Sequence, residues 1–344
     1  MIKSFGTLPT GEWASLYTIS CGNISAQITD FGATLVRLNV PDARGNIADV
    51  VLGYEDVNEY ATRSGHLGAA VGRNANRIGG AAFPLNGKTV QLGVNHFKNN
   101  LHSGPNFFDL RMWQVETYEQ DRIVLRLGSP DGDQGFPGNA TVTVRYSITD
   151  ENGIRIEYDA CSDKDTVFNM TNHTYFNLDG EDSDSLKDHI LQIDSDHITE
   201  DRDDGVPTGG IVSVKDTLYD FNVPSDLANR LGSDELSNGG YDNTYLLKGE
   251  GFRKVAYLES KKAGISLDVY TDMPAMVLYT ANTLSETGRN GIHHGPLSSI
   301  CLETQYVPGS IDKGDFDRCV FKAGEHFHSV TEYRFRDTYP DIEW

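Results

Sequence analysis

The stretch "ATVTVRYSITDENGIRIEYDAC", residues 140–161, decides the fold class. Its first half places Val142, Val144, Tyr146 and Ile148 at every second position. Its second half does the same with Ile154, Ile156, Tyr158 and Ala160. A period of two sends these side chains to one face of an extended chain and the residues between them to the other. The intervening "DENG" carries the turn chemistry of a hairpin loop. The stretch therefore reads as two antiparallel strands with one apolar face.

The same alternation recurs along the chain. "NISAQITD", "ATLVRLNV", "RIVLRLGS", "RKVAYLES", "ISLDVYTD", "AMVLYTAN" and "SSICLETQY" all read as strands, and 35 glycines and 12 prolines punctuate them. Helical signals are few. "DVNEYATRSG", after Glu55, predicts a short helix, and "PSDLANRLGSDELS" (224–237) predicts another with Ser225 or Asp226 as its N-cap. The sum is an all-β chain, a large antiparallel β-sandwich with few short helices. It lacks the strand–helix alternation of a Rossmann fold or a TIM barrel. With no linker, low-complexity tract or fixed repeat, residues 1–344 are expected to form a single domain.

Composition narrows the function. The net charge of -21, with Lys and Arg scattered, argues against nucleic acid as a partner. The four cysteines, Cys21, Cys161, Cys301 and Cys319, form no C-x-x-C pair, and in a chain this long they suggest reduced thiols. "MIKSFGTLPTGEW" lacks the apolar core of a signal peptide, and no segment approaches the ~20 apolar residues of a membrane span. The expectation is a cytoplasmic protein with no membrane partner.

Several motifs are missing. "GAAVGRNANRIGG" has no Gly-Lys-Ser/Thr ending, and there is no H-E-x-x-H or G-x-S-x-G. His326 and His328 share a face without a third donor in view, so no metal site is expected. What remains is a set of polar clusters: "GRNANRIGG" with Asn76 and Arg77, "NNLHSGPNFFDLRMW" with His102, "NMTNHTYFNL" with His173 and Tyr175, "GGYDNTYLL" with Asp242, and "CLETQY" with Glu303. Taken singly, Arg77 reads as a surface cation, His102 as a loop histidine and Asp242 as a turn acid. Glu303 resists the bland reading, because a carboxylate inside an apolar strand is costly unless it is paired or used.

These clusters, in this order, resemble the galactose mutarotase family, the aldose 1-epimerases. The resemblance runs from "DFGATLVRLNVPD" through "LGAAVGRNANRIGGAAFPLNGK", "LHSGPNFFDLRMW", "GDQGFPG", "MTNHTYFNL", "YDNTYLL" and "LETQ" to "GEHFHSVTEYRF". It implies a β-sandwich of the mutarotase type that interconverts the anomers of free aldohexoses, galactose or glucose, without metal or organic cofactor. It also implies Glu303 as general base and His173 as general acid, with Asn76, Arg77, His102, Tyr175 and Asp242 holding the sugar. Asn172 and Thr174 would fix the orientation of His173.

The chain departs from the family pattern in three places. Ser103 stands where relatives commonly have glycine, Gly309 follows Pro308 where many have a Pro-Asp pair, and Val277 stands near a sugar-contacting glutamine of some relatives. These changes leave the preferred sugar open among galactose, glucose, a pentose and maltose. Two other readings stand beside the epimerase: a carbohydrate-binding sandwich without catalysis, and a glycoside hydrolase using Glu303 and Asp242 as its two carboxylates. A monomer and a homodimer are equally compatible with the sequence.

Overall fold

The computed structural model describes residues 1–63, 65–309, 311 and 319–338. The hairpin at 140–161 lies inside a nine-stranded sheet. Its order is Gln114–Tyr118, Arg122–Ser129, Ala140–Thr149, Gly153–Ser162, His326–Asp337, Ile265–Thr271, Arg253–Ser260, His189–Ile193 and Ser225–Asp226. The hairpin register runs from Ala140 opposite Ser162 to Thr149 opposite Gly153 without a break. A six-stranded sheet faces it, ordered Tyr175–Phe176, Ile300–Gln305, Ala275–Tyr279, Asp242–Leu246, His197–Asp201 and Pro207–Ser213. A five-stranded sheet spans Ile2–Thr7 to Ile47–Asp49 in chain order. Every pairing within these three sheets is antiparallel.

The alternation in sequence becomes the core. Val142, Val144, Ile154, Ile156 and Leu267 of the nine-stranded sheet meet Tyr245, Met276, Leu278 and Leu302 of the six-stranded sheet in one buried cluster. Each such aliphatic side chain contributes about 1.5–3 kcal/mol on burial. Tyrosines of the nine-stranded sheet reach across the core with their hydroxyls. Tyr333 donates to the Leu302 carbonyl at 2.8 Å, and Tyr158 donates to the Thr171 carbonyl at 2.9 Å. Tyr146 donates to the Ala33 carbonyl at 2.7 Å and accepts from Asn172 at 2.9 Å. A buried phenol needs such a partner, and these bonds brace the segments that carry Glu303 and His173 from behind.

The short helix forms as predicted, at Val57–Thr62, and Asp56 caps it by accepting from the backbone N–H groups of Asn58 and Glu59. The second predicted helix does not form. Ser225 and Asp226 instead pair with Leu191 and Ile190 as the ninth strand of the large sheet. Asp226 stands at the N-cap position of a 3-10 turn, Leu227–Asn229, but its side chain makes no capping bond and the turn does not extend into an α-helix. Gly232, at φ +84, turns the chain away within the same stretch. Among the described residues, no helix is long and apolar enough to cross a membrane.

Candidate active site

Sheet register assembles the floor of the site. Leu278 and Leu302 point into the core, so alternation sends Tyr279, Cys301 and Glu303 to the opposite face. On that face Tyr175 lies opposite Cys301, Cys301 opposite Tyr279, and Tyr279 opposite Asp242. One step along, Glu303 lies opposite Val277, and Val277 opposite Thr244. Directly opposed residues share a face and touch. Two rows of side chains thus cross the sheet, with Glu303 between a strand end and a valine.

"NMTNHTYFNL" contains two short strands. Thr171–His173 pairs with Ala69–Val71, while Tyr175–Phe176 joins the six-stranded sheet beside Ile300 and Cys301. The chain changes partner at Thr174, and this delivers His173 to the edge of the floor. Its ring stacks on Tyr175 at 4.9 Å. Asn172 donates to the Gly68 carbonyl at 3.3 Å and accepts from the Thr174 hydroxyl. Both flanking residues are therefore held by hydrogen bonds.

His173 Nε2 lies 3.5 Å from Glu303 Oε1, and Nδ1 lies 3.5 Å from Cys301 Sγ. His173 is 6% exposed and Glu303 2%. Burial, followed by the nearby charge of Asp242, pushes the Glu303 carboxyl up to about 8, while Arg77 pulls the other way. Burial, followed by the charge of His66, pushes the His173 imidazole down to about 3. Desolvation disfavours the charged form of each. Between these two values the pair holds one proton. Burial, more than any neighbouring carboxylate, controls His173.

The other predicted residues form a second wall. Asn76 donates its backbone N–H to His102 Nδ1 at 3.1 Å and takes the His102 backbone N–H on its own carbonyl at 3.1 Å. Because Nδ1 accepts, the neutral His102 ring carries its proton on Nε2. Burial first, then the neighbouring histidines, hold His102 well below the usual imidazole range. The Asn76 side-chain oxygen accepts from Arg77 Nη1 at 3.3 Å, and Arg77 Nη2 reaches Asp242 Oδ2 at 3.3 Å. The His102 and His173 rings lie 5.5 Å apart. An unbroken chain of contacts thus joins all seven predicted residues: Glu303, His173, Tyr175, His102, Asn76, Arg77 and Asp242.

Ser103 explains its own departure from the family pattern. Its φ is +60, in the left-handed region that favours glycine. Its buried hydroxyl accepts the Asn74 N–H at 2.8 Å and donates to the Asn74 carbonyl at 3.0 Å. These bonds offset the strain and lace the His102 loop to the Asn76 loop. Arg73, four residues before Arg77, is fully buried and spends its guanidinium on Ser129, Pro130, Pro137, Gly138 and Thr166. It anchors the loop that Arg77 uses.

Three features were not singled out from sequence. Cys301 joins His173 and Glu303, with donor atoms all within 4.8 Å of one another; the alternation placed it on the Glu303 face but gave it no role. Asp201 has a buried Oδ1 without a hydrogen-bond partner, and burial followed by Asp242 pushes its carboxyl up to about 7. His66 sits beside both site histidines, paired with Asp109 at 2.8 Å. Nothing in "SGHLG" marks it out from nine other histidines.

Residues 15–334 match the family model described as aldose 1-epimerase. The chain is 36% identical over 335 residues to the aldose 1-epimerase of Escherichia coli K12, covering 95% of this chain and 96% of the relative. It is 32% identical over 335 residues to the galactose mutarotase of Homo sapiens, covering 96% and 97%. Among solved structures, a GalM/aldose epimerase homologue from Caenorhabditis elegans superposes with a TM-score of 0.90 at 29% identity, covering 95% of this chain and 100% of that one. Galactose 1-epimerase from Lactobacillus acidophilus superposes at 0.86 with 27% identity, covering 98% and 99%. The chain belongs to the aldose 1-epimerase family, isomerases that interconvert the anomers of aldoses.

Proposed function

We propose that this chain opens and recloses the pyranose ring of a free aldohexose by paired proton transfer between Glu303 and His173. The observation that carries the reading is the buried 3.5 Å contact between His173 Nε2 and Glu303 Oε1, in a pair that holds one proton between about 3 and about 8. Anomer interconversion needs one group to take the proton of the C1 hydroxyl and another to protonate the ring oxygen. The C1–O5 bond then breaks with its electrons going to O5, and an aldehyde forms at C1. Rotation about C1–C2 and reclosure on the other face reverse both transfers. A pair with one proton has one acceptor and one donor at every stage. Proton transfer from Glu303 to His173 gives a Glu303 carboxylate and a His173 imidazolium, the base and acid that the resemblance assigns. Each positioned group contributes roughly 10²–10⁴-fold, and both steps are proton transfers that call for no cofactor.

Arg77 offers a planar fork to sugar oxygens, and Asp242 accepts from a hydroxyl. His102, with its proton on Nε2, serves as a neutral donor, and Tyr175 covers an apolar edge of the ring. Galactose is the first candidate substrate, since relatives and a structural neighbour carry that sugar in their names. Val277 lies on the floor directly opposite Glu303, where its methyl groups cannot read a hydroxyl. Its place supports a relaxed preference between galactose and glucose. We place the protein in the cytoplasm on the strength of free thiols at Cys21, Cys161 and Cys301, and keep the expectation of one domain, as a monomer or homodimer. Polarimetry of freshly dissolved α-galactose tests the reading. Glu303→Ala is expected to remove nearly all acceleration of anomer equilibration, and a near-normal rate in that variant would overturn it.

A further inference from the structure

His66 lies outside the seven residues assigned above, yet its ring closes a triangle with two of them. Ring centroids are 5.5 Å apart for His66–His102, 6.2 Å for His66–His173 and 5.5 Å for His102–His173. Phe107 packs on its other side at 4.9 Å. His66 Nδ1 meets Asp109 Oδ2 at 2.8 Å, so Nδ1 carries a proton and donates it to the carboxylate. The backbone at His66 has φ +53, a strained conformation for a non-glycine residue that tends to collect at working sites. The side chains of His66 and Asp109 are only 18% and 12% exposed.

The charged and titratable groups around His66 come from four elements. Asp109 belongs to the 3-10 turn Phe108–Leu110, His102 to the loop after Asn100–Leu101, and His173 to Thr171–His173. Arg63, Tyr60 and Tyr54, from the short helix and its approach, line a small cavity with His66 and Asp109. Asp109 is the carboxylate in direct contact with the ring.

We propose that His66, held by Asp109, is a positioning residue of the acid–base site, its protonated ring placing a positive charge beside His173 and His102. Burial works against a charge on His66, but the carboxylate of Asp109 outweighs it and the imidazole is raised above its ordinary value. The consequence falls on its neighbours. After burial, the charge of His66 is the largest influence holding both His102 and His173 down. The arrangement biases the single proton of the His173–Glu303 pair toward Glu303 in the resting enzyme, and keeps His102 a neutral donor.

This proposal rests on the acid–base reading of His173, so its test uses a readout that does not need turnover. The imidazole resonances of His173 are followed by NMR against pH in wild type, His66→Gln, Asp109→Asn and His66→Lys, alongside the acid limb of kcat/KM. One charge at 6.2 Å, in an effective dielectric of roughly 20–40, moves a titration by about one to two pH units. His66→Gln is expected to raise the His173 midpoint by that amount, because the positive charge goes and Asp109 stays. Asp109→Asn removes both charges and is expected to give a smaller rise, while His66→Lys returns the midpoint toward wild type. A His173 midpoint unmoved in folded His66→Gln overturns the proposal; if that variant does not fold, an unmoved midpoint in Asp109→Asn overturns it. A shifted NMR midpoint with a pH–rate profile that ignores it counts against the acid–base reading, not against the positioning.

Discussion

Replacing Glu303 by Gln should stabilise the fold in alkali while leaving it nearly unchanged in acid. Gln preserves the shape of the side chain and never ionises. In wild type the folded carboxyl is raised from 4.5 to about 8, chiefly by burial and secondarily by Asp242. The folded state therefore holds a proton that the unfolded state has released. This contribution is fully present below about pH 4.5 and is lost as pH rises through about 8. At about 1.4 kcal/mol for each tenfold difference in proton affinity, ionising this side chain in place costs roughly 2–5 kcal/mol by pH 9. His173 does not cancel the effect, since burial keeps it neutral over the same interval. Urea denaturation of wild type and Glu303→Gln at pH 5 and pH 9 measures the difference directly. The gap in unfolding free energy should open in favour of the variant at pH 9. An equal gap at both values would refute the argument that a neutral carboxyl lies at the bottom of this site.

Three further variants probe the second wall. Arg77→Lys keeps the charge but cannot span Asn76 and Asp242 as the guanidinium does; KM for galactose is expected to rise about tenfold with a smaller fall in kcat, read by polarimetry over a substrate series. Ser103→Ala leaves the buried Asn74 N–H without its acceptor while retaining the strained φ of +60, and is expected to cost about 1–3 kcal/mol in chemical denaturation; Ser103→Gly loses the same bonds but relieves the backbone, so it should cost less.

The parts of the fold legible in sequence were those governed by local periodicity. Arg122–Ser129 and Arg253–Ser260 coincide with their predicted strands; the first alternates cleanly between core and outer face, and the second does so after one bulge where Val255 and Ala256 are both buried. Residues 224–237 misled for the converse reason. Their cap and leucine spacing suit a helix, but the edge of the nine-stranded sheet at Leu191 claims Ser225 and Asp226 first, and no local pattern carries that information. The seven candidate residues were legible as ordered motifs, whereas the packing that brings them together was not. Arg73 and Arg77 look alike in "GRNANRIGG"; one is buried among backbone carbonyls and the other faces Asp242. The proton balance of His173 depends on depth and on the His66 charge 6.2 Å away, and both are products of tertiary packing. Thr174 is the point where the chain leaves one strand partner for another, and no local pattern signals that change.

The central claim is that Glu303 and His173 act as one proton-sharing unit. The most direct test is a double-mutant cycle on kcat/KM for α-galactose mutarotation, using Glu303→Gln, His173→Asn and the pair together. Each single change is expected to lower the rate by roughly 10²–10⁴-fold. The double variant should fall no more than a few-fold below the slower single, as residues acting as a unit do. Losses that multiply independently, or either single variant turning over near the wild-type rate, would contradict the account.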